Sequence, residues 1–98
     1  MSDYAAAEEF LAQRHIAVVG VSRNPNEFAN DLYRHLRDGG RTLYPVNING
    51  GVRVIEGDTA YRSVFQVPDP VDGVIIMLPP SATVDVVQQA IARGIERI

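Results

Sequence analysis

Three short stretches of the sequence carry residue types that can hold an anion and a flat organic group. The first is Gly20-Val21-Ser22-Arg23-Asn24. Glycine permits a sharp turn and a close backbone approach. Peptide N–H groups in such a turn, and at a following helix N-terminus, attract negative charge. Ser22 and Asn24 add side-chain hydrogen bonds and Arg23 adds a positive charge, an inventory that suits a phosphate or pyrophosphate. A plain turn with a helix cap would use the same residues, and the two readings stand side by side. The second stretch is Tyr44-Pro45-Val46-Asn47. Pro45 near a strand end limits ladder bonding and exposes backbone, and Asn47 suits an adenine edge, a ribose hydroxyl or a simple turn. Arg41, just before it, is either a phosphate contact or a solvated cation. The third stretch is Leu78-Pro79-Pro80-Ser81. Consecutive prolines make a stiff extended wall, suited to a flat heterocycle or a flexible pantetheine-like arm, or else a strand terminator ahead of a capped helix.

Something must bring these stretches together. The chain of 98 residues is sized for one domain, taken as residues 1–98. Residues 3–14 have the apolar spacing of an amphipathic helix packed on that domain. Ile16 to Val19 is a continuous apolar run of the kind found in strands covered on both faces. Asn24-Pro25-Asn26-Glu27 reads as a helix start, with Ala29, Leu32, Tyr33 and Leu36 on its inner face and Gly39-Gly40 as its stop. Thr42 to Asn47 reads as a second strand and Val52 to Ile55 as a short edge strand. Residues 58–67 read as one or two helical turns. Gly73 to Leu78 is the strongest strand. A helix capped by Ser81 follows, burying Val84, Val87, Ala90 and Ile91, and Ile95 to Ile98 begin another strand. This alternation predicts an α/β, Rossmann-like, doubly wound parallel sheet with helices on both faces. Ligands of such sheets bind beyond the carboxyl ends of the strands, where segments 20–30, 45–51, 55–58 and 78–83 should converge.

Several functions are excluded by residues that are missing. There is no cysteine, so no disulfide, thiolate metal site or cysteine nucleophile. All nine basic residues are arginine, which excludes Schiff-base and P-loop lysine chemistry. They are scattered singly in a chain of net charge −3, so neither nucleic acid nor a membrane surface is the expected partner. Two histidines, His15 and His35, without a pairing motif predict no metal site. No secretory signal or membrane span is legible, and a cytoplasmic location is expected. Ser22 lies outside a G-x-S-x-G elbow, so no catalytic residue is assigned. The loop after Gly20 is not G-x-G-x-x-G, and the second strand ends on Asn47 with no acid for a ribose 2′-hydroxyl. Both absences count against NAD.

The ordered set Ile16 to Asn26, Tyr44-Pro45-Val46-Asn47, Glu56-Gly57, Val71-Asp72-Gly73-Val74 and Pro79-Pro80 resembles the CoA-binding domain family. These are small bacterial Rossmann-like proteins similar to the N-terminal domain of the succinyl-CoA synthetase alpha subunit. The resemblance runs from about Arg14 to Ile98 and implies coenzyme A, or an acyl-CoA, held without chemistry by this chain. It implies phosphate contacts from Gly20, Val21, Ser22, Arg23 and Asn24, a basic approach by Arg41, and an adenosine border at Pro45, Val46 and Asn47. Leu78, Pro79 and Pro80 would line the pantetheine path, with Asn26, Phe28 and Asn30 bordering the site. The family usually has glycine where Ala29 stands and proline where Ile48 stands. It also continues beyond Ile98, so this chain is expected to be shortened at its C-terminus. An unpaired edge there would invite a second copy or a partner protein. The competing functions are an NAD(H)- or nucleotide-sensing domain and an interaction module with a vestigial pocket.

Overall fold

A computed structural model describes residues 14–68, 70–95, 97 and 98, so the helix expected over 3–14 lies outside the described residues apart from Arg14. Three parallel strands form the sheet: β1 (His15–Val19), β2 (Thr42–Val46) and β5 (Gly73–Ile76), in the order β2-β1-β5. The register is continuous, with Ile16 beside both Leu43 and Gly73 and Val19 beside both Val46 and Ile76. β1 is thus covered along both edges, and Ile16 to Val19 are wholly buried. That explains their unbroken apolar run, since a central strand has no solvent face to mark with polar residues.

Successive side chains of β1 point to opposite faces and build two cores. Ile16 and Val18 pack with Tyr33 and Leu36 of helix α1 (Phe28–Asp38), with Leu43 and with Ile55. Ala17 and Val19 pack with Val74, Val64, and Val86 and Ala90 of helix α2 (Pro80–Ala92). One helix therefore covers each face, and the doubly wound α/β reading is correct. The chain leaves β1 for β2 on one side and later returns to β5 on the other. The carboxyl end of β1 is the point where the winding reverses, the place where ligands of such sheets bind.

The connection between β2 and β5 differs from expectation. Val54–Ile55 (β3) and Asp58–Thr59 (β4) form a small antiparallel hairpin instead of one edge strand and a helix. Glu56 at φ 51° and Gly57 at φ 82° make its two-residue turn, the backbone such a hairpin requires. Helical structure between them and β5 is confined to a 3-10 turn, Val64–Gln66, capped by Ser63. Two helix starts also shift. α1 begins at Phe28, because Asn24 and Ser22 spend their side chains on turns within the loop. α2 takes Pro79 as its cap and Pro80 as its first residue, so Ser81 is not the cap. Its buried residues are Val86 and Ala90, while Val84 and Ile91 are exposed and Val87 is half-buried. Arg97 bridges in parallel to Gly73, with Val74 N–H donating to its carbonyl at 2.8 Å, as a strand starting there should.

Tyr33 shows how α1 is fixed to the sheet. Its ring is wholly buried. Its hydroxyl donates to Asp58 Oδ2 at 2.5 Å and lies 3.3 Å from the Leu43 carbonyl. Burial, reinforced by the Asp58 carboxylate, pushes the phenol far above its ordinary range. Arg37 bonds the same carboxylate oxygen at 3.0 Å and the Glu56 carbonyl, tying helix to hairpin. Tyr33→Phe keeps the apolar packing and deletes the hydroxyl. It is expected to destabilise the domain by about 1–2 kcal/mol, measured by urea titration. A loss under half of that would show that the Arg37–Asp58 pair suffices without it.

Candidate functional site

The predicted segments meet at the carboxyl ends of β1, β2 and β5. Gly20 ends β1 at φ 110°, a conformation that side-chain-bearing residues rarely take. Its N–H donates to the Val46 carbonyl at 3.0 Å, while Met77 N–H donates to the Val19 carbonyl at 2.8 Å. These two bonds extend the ladders past the last strand residues and hold all three ends level. A Cβ on Gly20 would lie 2.3 Å from the Met77 carbonyl oxygen. The loop after β1 and the loop after β5 are therefore in backbone contact at this point, one residue before Val21 on one side and Leu78 on the other.

Within the Gly20–Asn24 loop most polar groups are already spent. Ser22 N–H donates to Asn30 Oδ1 at 3.1 Å and Asn30 Nδ2 returns a bond to the Ser22 carbonyl at 2.7 Å. Asn24 N–H donates to Ser22 Oγ at 3.0 Å, and Asn26 N–H to Asn24 Oδ1 at 3.0 Å. Among the described residues, the N–H groups of Val21 and Arg23 and the first-turn N–H groups of Phe28 and Ala29 carry no such bond. Val21 is wholly buried within the core and Ala29 is buried, so the amides that can receive an anion are those of Arg23 and Phe28, beside the exposed Arg23 guanidinium. The donor set is smaller than the sequence implied, because Ser22 and Asn24 serve the loop's own shape.

Asn30 is the one fully buried polar side chain of the described residues. It does not border open space. Besides its two bonds to Ser22, its Nδ2 donates to Glu56 Oε2 at 2.9 Å. Arg34 donates to the same carboxylate oxygen at 2.9 Å. The Asn30 hydrogen bond, with Arg34 behind it, holds the Glu56 carboxyl below its usual range in spite of burial. The loop after β1 is thus braced from beneath by α1 and the β3–β4 turn. The amide donors of the loop are fixed before any ligand arrives. Glu56 and Arg34 were not singled out as site residues in the sequence. The signal available for Glu56 was its place in a Glu-Gly pair between two short β runs, a hairpin-turn pattern.

The second predicted stretch is reinterpreted. Pro45 and Val46 are wholly buried. The Pro45 carbonyl accepts from Tyr61 N–H at 2.9 Å, and Val46 bridges Tyr61 in parallel. β2 is therefore flanked on both sides, and Pro45 does not expose backbone. Asn47 Nδ2 donates to the Val21 carbonyl at 3.2 Å, and its Oδ1 accepts from Asn49 N–H at 3.1 Å. Asn47 clasps the loop after β1 to the loop after β2 and presents little free hydrogen-bonding capacity. Arg41 is not brought to the site. It precedes β2, whose five residues separate it from the carboxyl end by about 16 Å at 3.3 Å per residue. Leu78 is half-buried, and Pro79 and Pro80, which follow it, are exposed. Asn26 and Phe28 are exposed, the latter by 70%, at the start of α1.

Among the described residues no group of acidic and histidine side chains could hold a metal ion, and no helix is long and apolar enough to cross a membrane. A family model described as "CoA binding domain" matches residues 14–98. The chain is 30% identical over 93 residues to the alpha subunit of ADP-forming acetate–CoA ligase I of Pyrococcus furiosus, covering 91% of this chain and 20% of that protein. It is 36% identical over 72 residues to the alpha subunit of the second such ligase of the same organism, covering 71% of this chain and 15% of the relative. It thus spans a fifth or less of these curated relatives. A solved structure described as a hypothetical protein from Pyrococcus horikoshii OT3 superposes with a TM-score of 0.87 at 31% identity, covering 98% of this chain and 66% of that one.

Proposed function

The chain belongs to the CoA binding domain family, and from that premise we propose that it binds coenzyme A, or an acyl-CoA, across the carboxyl ends of β1, β2 and β5. The observation that carries the reading is the backbone contact between Gly20 and Met77 at the point where the winding reverses. It supports the reading by joining the loop that carries Arg23 to the loop that carries Leu78, Pro79 and Pro80. The diphosphate rests on the Arg23 amide, the Arg23 guanidinium and the N-terminus of α1. The adenosine borders the turn that begins at Asn47, and the pantetheine arm runs past Leu78, Pro79 and Pro80. In this reading the chain is a binding module. The ligase relatives are named as alpha subunits. That name, with the exposed Val84, Ile91 and Ile98, supports chemistry supplied by a protein partner.

Thermal unfolding with coenzyme A and with NAD, each added separately, tests the reading. Coenzyme A at a hundredfold its dissociation constant is expected to add about 2.7 kcal/mol of stability. A shift with NAD and none with coenzyme A would reverse the assignment.

A further inference from the structure

β5 lies at one side of the sheet, and among the described residues its outer edge is joined only by the bridge between Gly73 and Arg97. Beyond that bridge a cavity of about 320 Å³ opens between the strand edge and α2, lined by Val74, Ile75, Ile76, Thr83, Val87 and Ile98. The lining is aliphatic and carries no charged side chain, and its one side-chain polar group is the Thr83 hydroxyl. That hydroxyl is already engaged. It donates to the Pro79 carbonyl at 3.1 Å and lies 3.3 Å from the Leu78 carbonyl. The same contacts set the Thr83 end of the cavity against the Leu78–Pro80 ledge, so the cavity continues the path proposed for the pantetheine arm. The strand edge adds one polar group. Peptide groups of alternate residues point to the same side of a strand. Val74 N–H donates outward to the Arg97 carbonyl at 2.8 Å, while Met77 N–H donates inward to Val19. Ile76 N–H therefore faces outward as well, beyond the bridge, at the end of the cavity nearer the ledge.

A hydrocarbon chain entering this cavity exchanges water for an aliphatic lining, whereas a charged group would lose its hydration and gain no partner. A chain carried on the pantetheine thiol would arrive from the ledge. Its thioester carbonyl would come level with Ile76, where the outward N–H can donate to it, and its methylenes would run towards Val74, Val87 and Ile98. We infer that the cavity beside β5 holds the acyl chain of an acyl-CoA and favours aliphatic chains longer than acetyl. The inference rests on the coenzyme A reading above. It deepens that reading by naming a thioester, and not free coenzyme A, as the better ligand.

Calorimetric titration of the full chain with coenzyme A, acetyl-CoA, butyryl-CoA and hexanoyl-CoA tests it. Affinity is expected to rise roughly threefold to fourfold for each buried methylene, so roughly tenfold from each thioester to the next. In Val87→Asp, and separately in Ile98→Asp, a carboxylate enters the lining and the series should flatten. Affinity for free coenzyme A should stay within about twofold of wild type in both. Equal affinity of the wild type for coenzyme A and all three thioesters overturns the acyl site and leaves the coenzyme A assignment standing. Binding of none of the four overturns both. A steep series that persists in both variants also overturns the site, since the chain would then lie elsewhere. Light scattering examines the other occupant: a mass that rises with protein concentration and is unchanged by hexanoyl-CoA would give the cavity to a second copy and overturn the inference.

Discussion

Gly20→Ala is expected to cost about 2–6 kcal/mol and to remove coenzyme A binding, and Gly20→Val to do worse. Two effects add at this position. A side-chain-bearing residue at φ 110° is strained by about 1–3 kcal/mol. The added Cβ would also sit 2.3 Å from the Met77 carbonyl oxygen and 2.9 Å from its carbon. Both are backbone atoms held by the Met77-to-Val19 hydrogen bond, so they cannot swing aside. Overpacking of this kind costs about 1–3 kcal/mol. Gly40→Ala separates the two effects. Gly40 has φ 90°, yet nothing lies within 4 Å of where its Cβ would be. It follows α1 at the opposite end of the sheet, so its replacement carries the strain without the clash and should leave ligand affinity unchanged. Urea titrations and calorimetry on the two alanine variants give the comparison. Equal stability losses in both would show that Met77 yields to the new methyl group. Retained coenzyme A affinity in a folded Gly20→Ala protein would remove the backbone contact as the basis of the site.

The distinction between scaffold and contact also explains what could be read in the sequence. β1, β2, β5 and both helices were legible because each carries a long period: an unbroken apolar run for a strand buried on both faces, and three-four spacing for helices. The β3–β4 hairpin was not, because strands of two residues carry no period at all. Its signature is confined to a Glu-Gly turn. At the site, the segments were predicted correctly as neighbours, since topology alone sends them to one end of the sheet. The roles of their polar side chains were harder to foresee. Asn30 and Asn47 could each have faced a ligand or the protein, and nothing in their spacing distinguishes the two. Only the folded chain shows Asn30 turned onto Ser22 and Glu56, and Asn47 onto Val21. Arg41 misled in the other direction. It is near Pro45 in sequence, but extended chain carries it to the far end of β2.

The brace beneath the loop should respond most sharply to Asn30→Asp, a change of one atom that leaves packing volume intact. Aspartate keeps the acceptor that receives Ser22 N–H. It replaces the donor that reached the Ser22 carbonyl at 2.7 Å and Glu56 Oε2 at 2.9 Å with an oxygen facing two acceptors. Near neutral pH two carboxylates then share one buried site with Arg34 as their nearest cation. An uncompensated buried charge costs on the order of 3 kcal/mol. The sign of its pH dependence follows. In the native protein Glu56 has a lowered carboxyl pKa, so its contribution is present at neutral pH and is lost as pH falls through that lowered value. In the variant the shared site raises the pKa of the pair, because like charges disfavour ionisation. Its penalty is therefore full at neutral pH and fades as pH falls towards the ordinary carboxylate range of about 4. Wild type and variant should differ most at pH 7 and converge on acidification, measured as urea midpoints across that interval. Coenzyme A affinity at neutral pH should fall at least tenfold, because the loop that carries the Arg23 amide loses the support that aims it. A variant equally unstable at all pH values would show that Glu56 does not face residue 30 as a charge. A variant of unchanged affinity would detach the brace from the binding site.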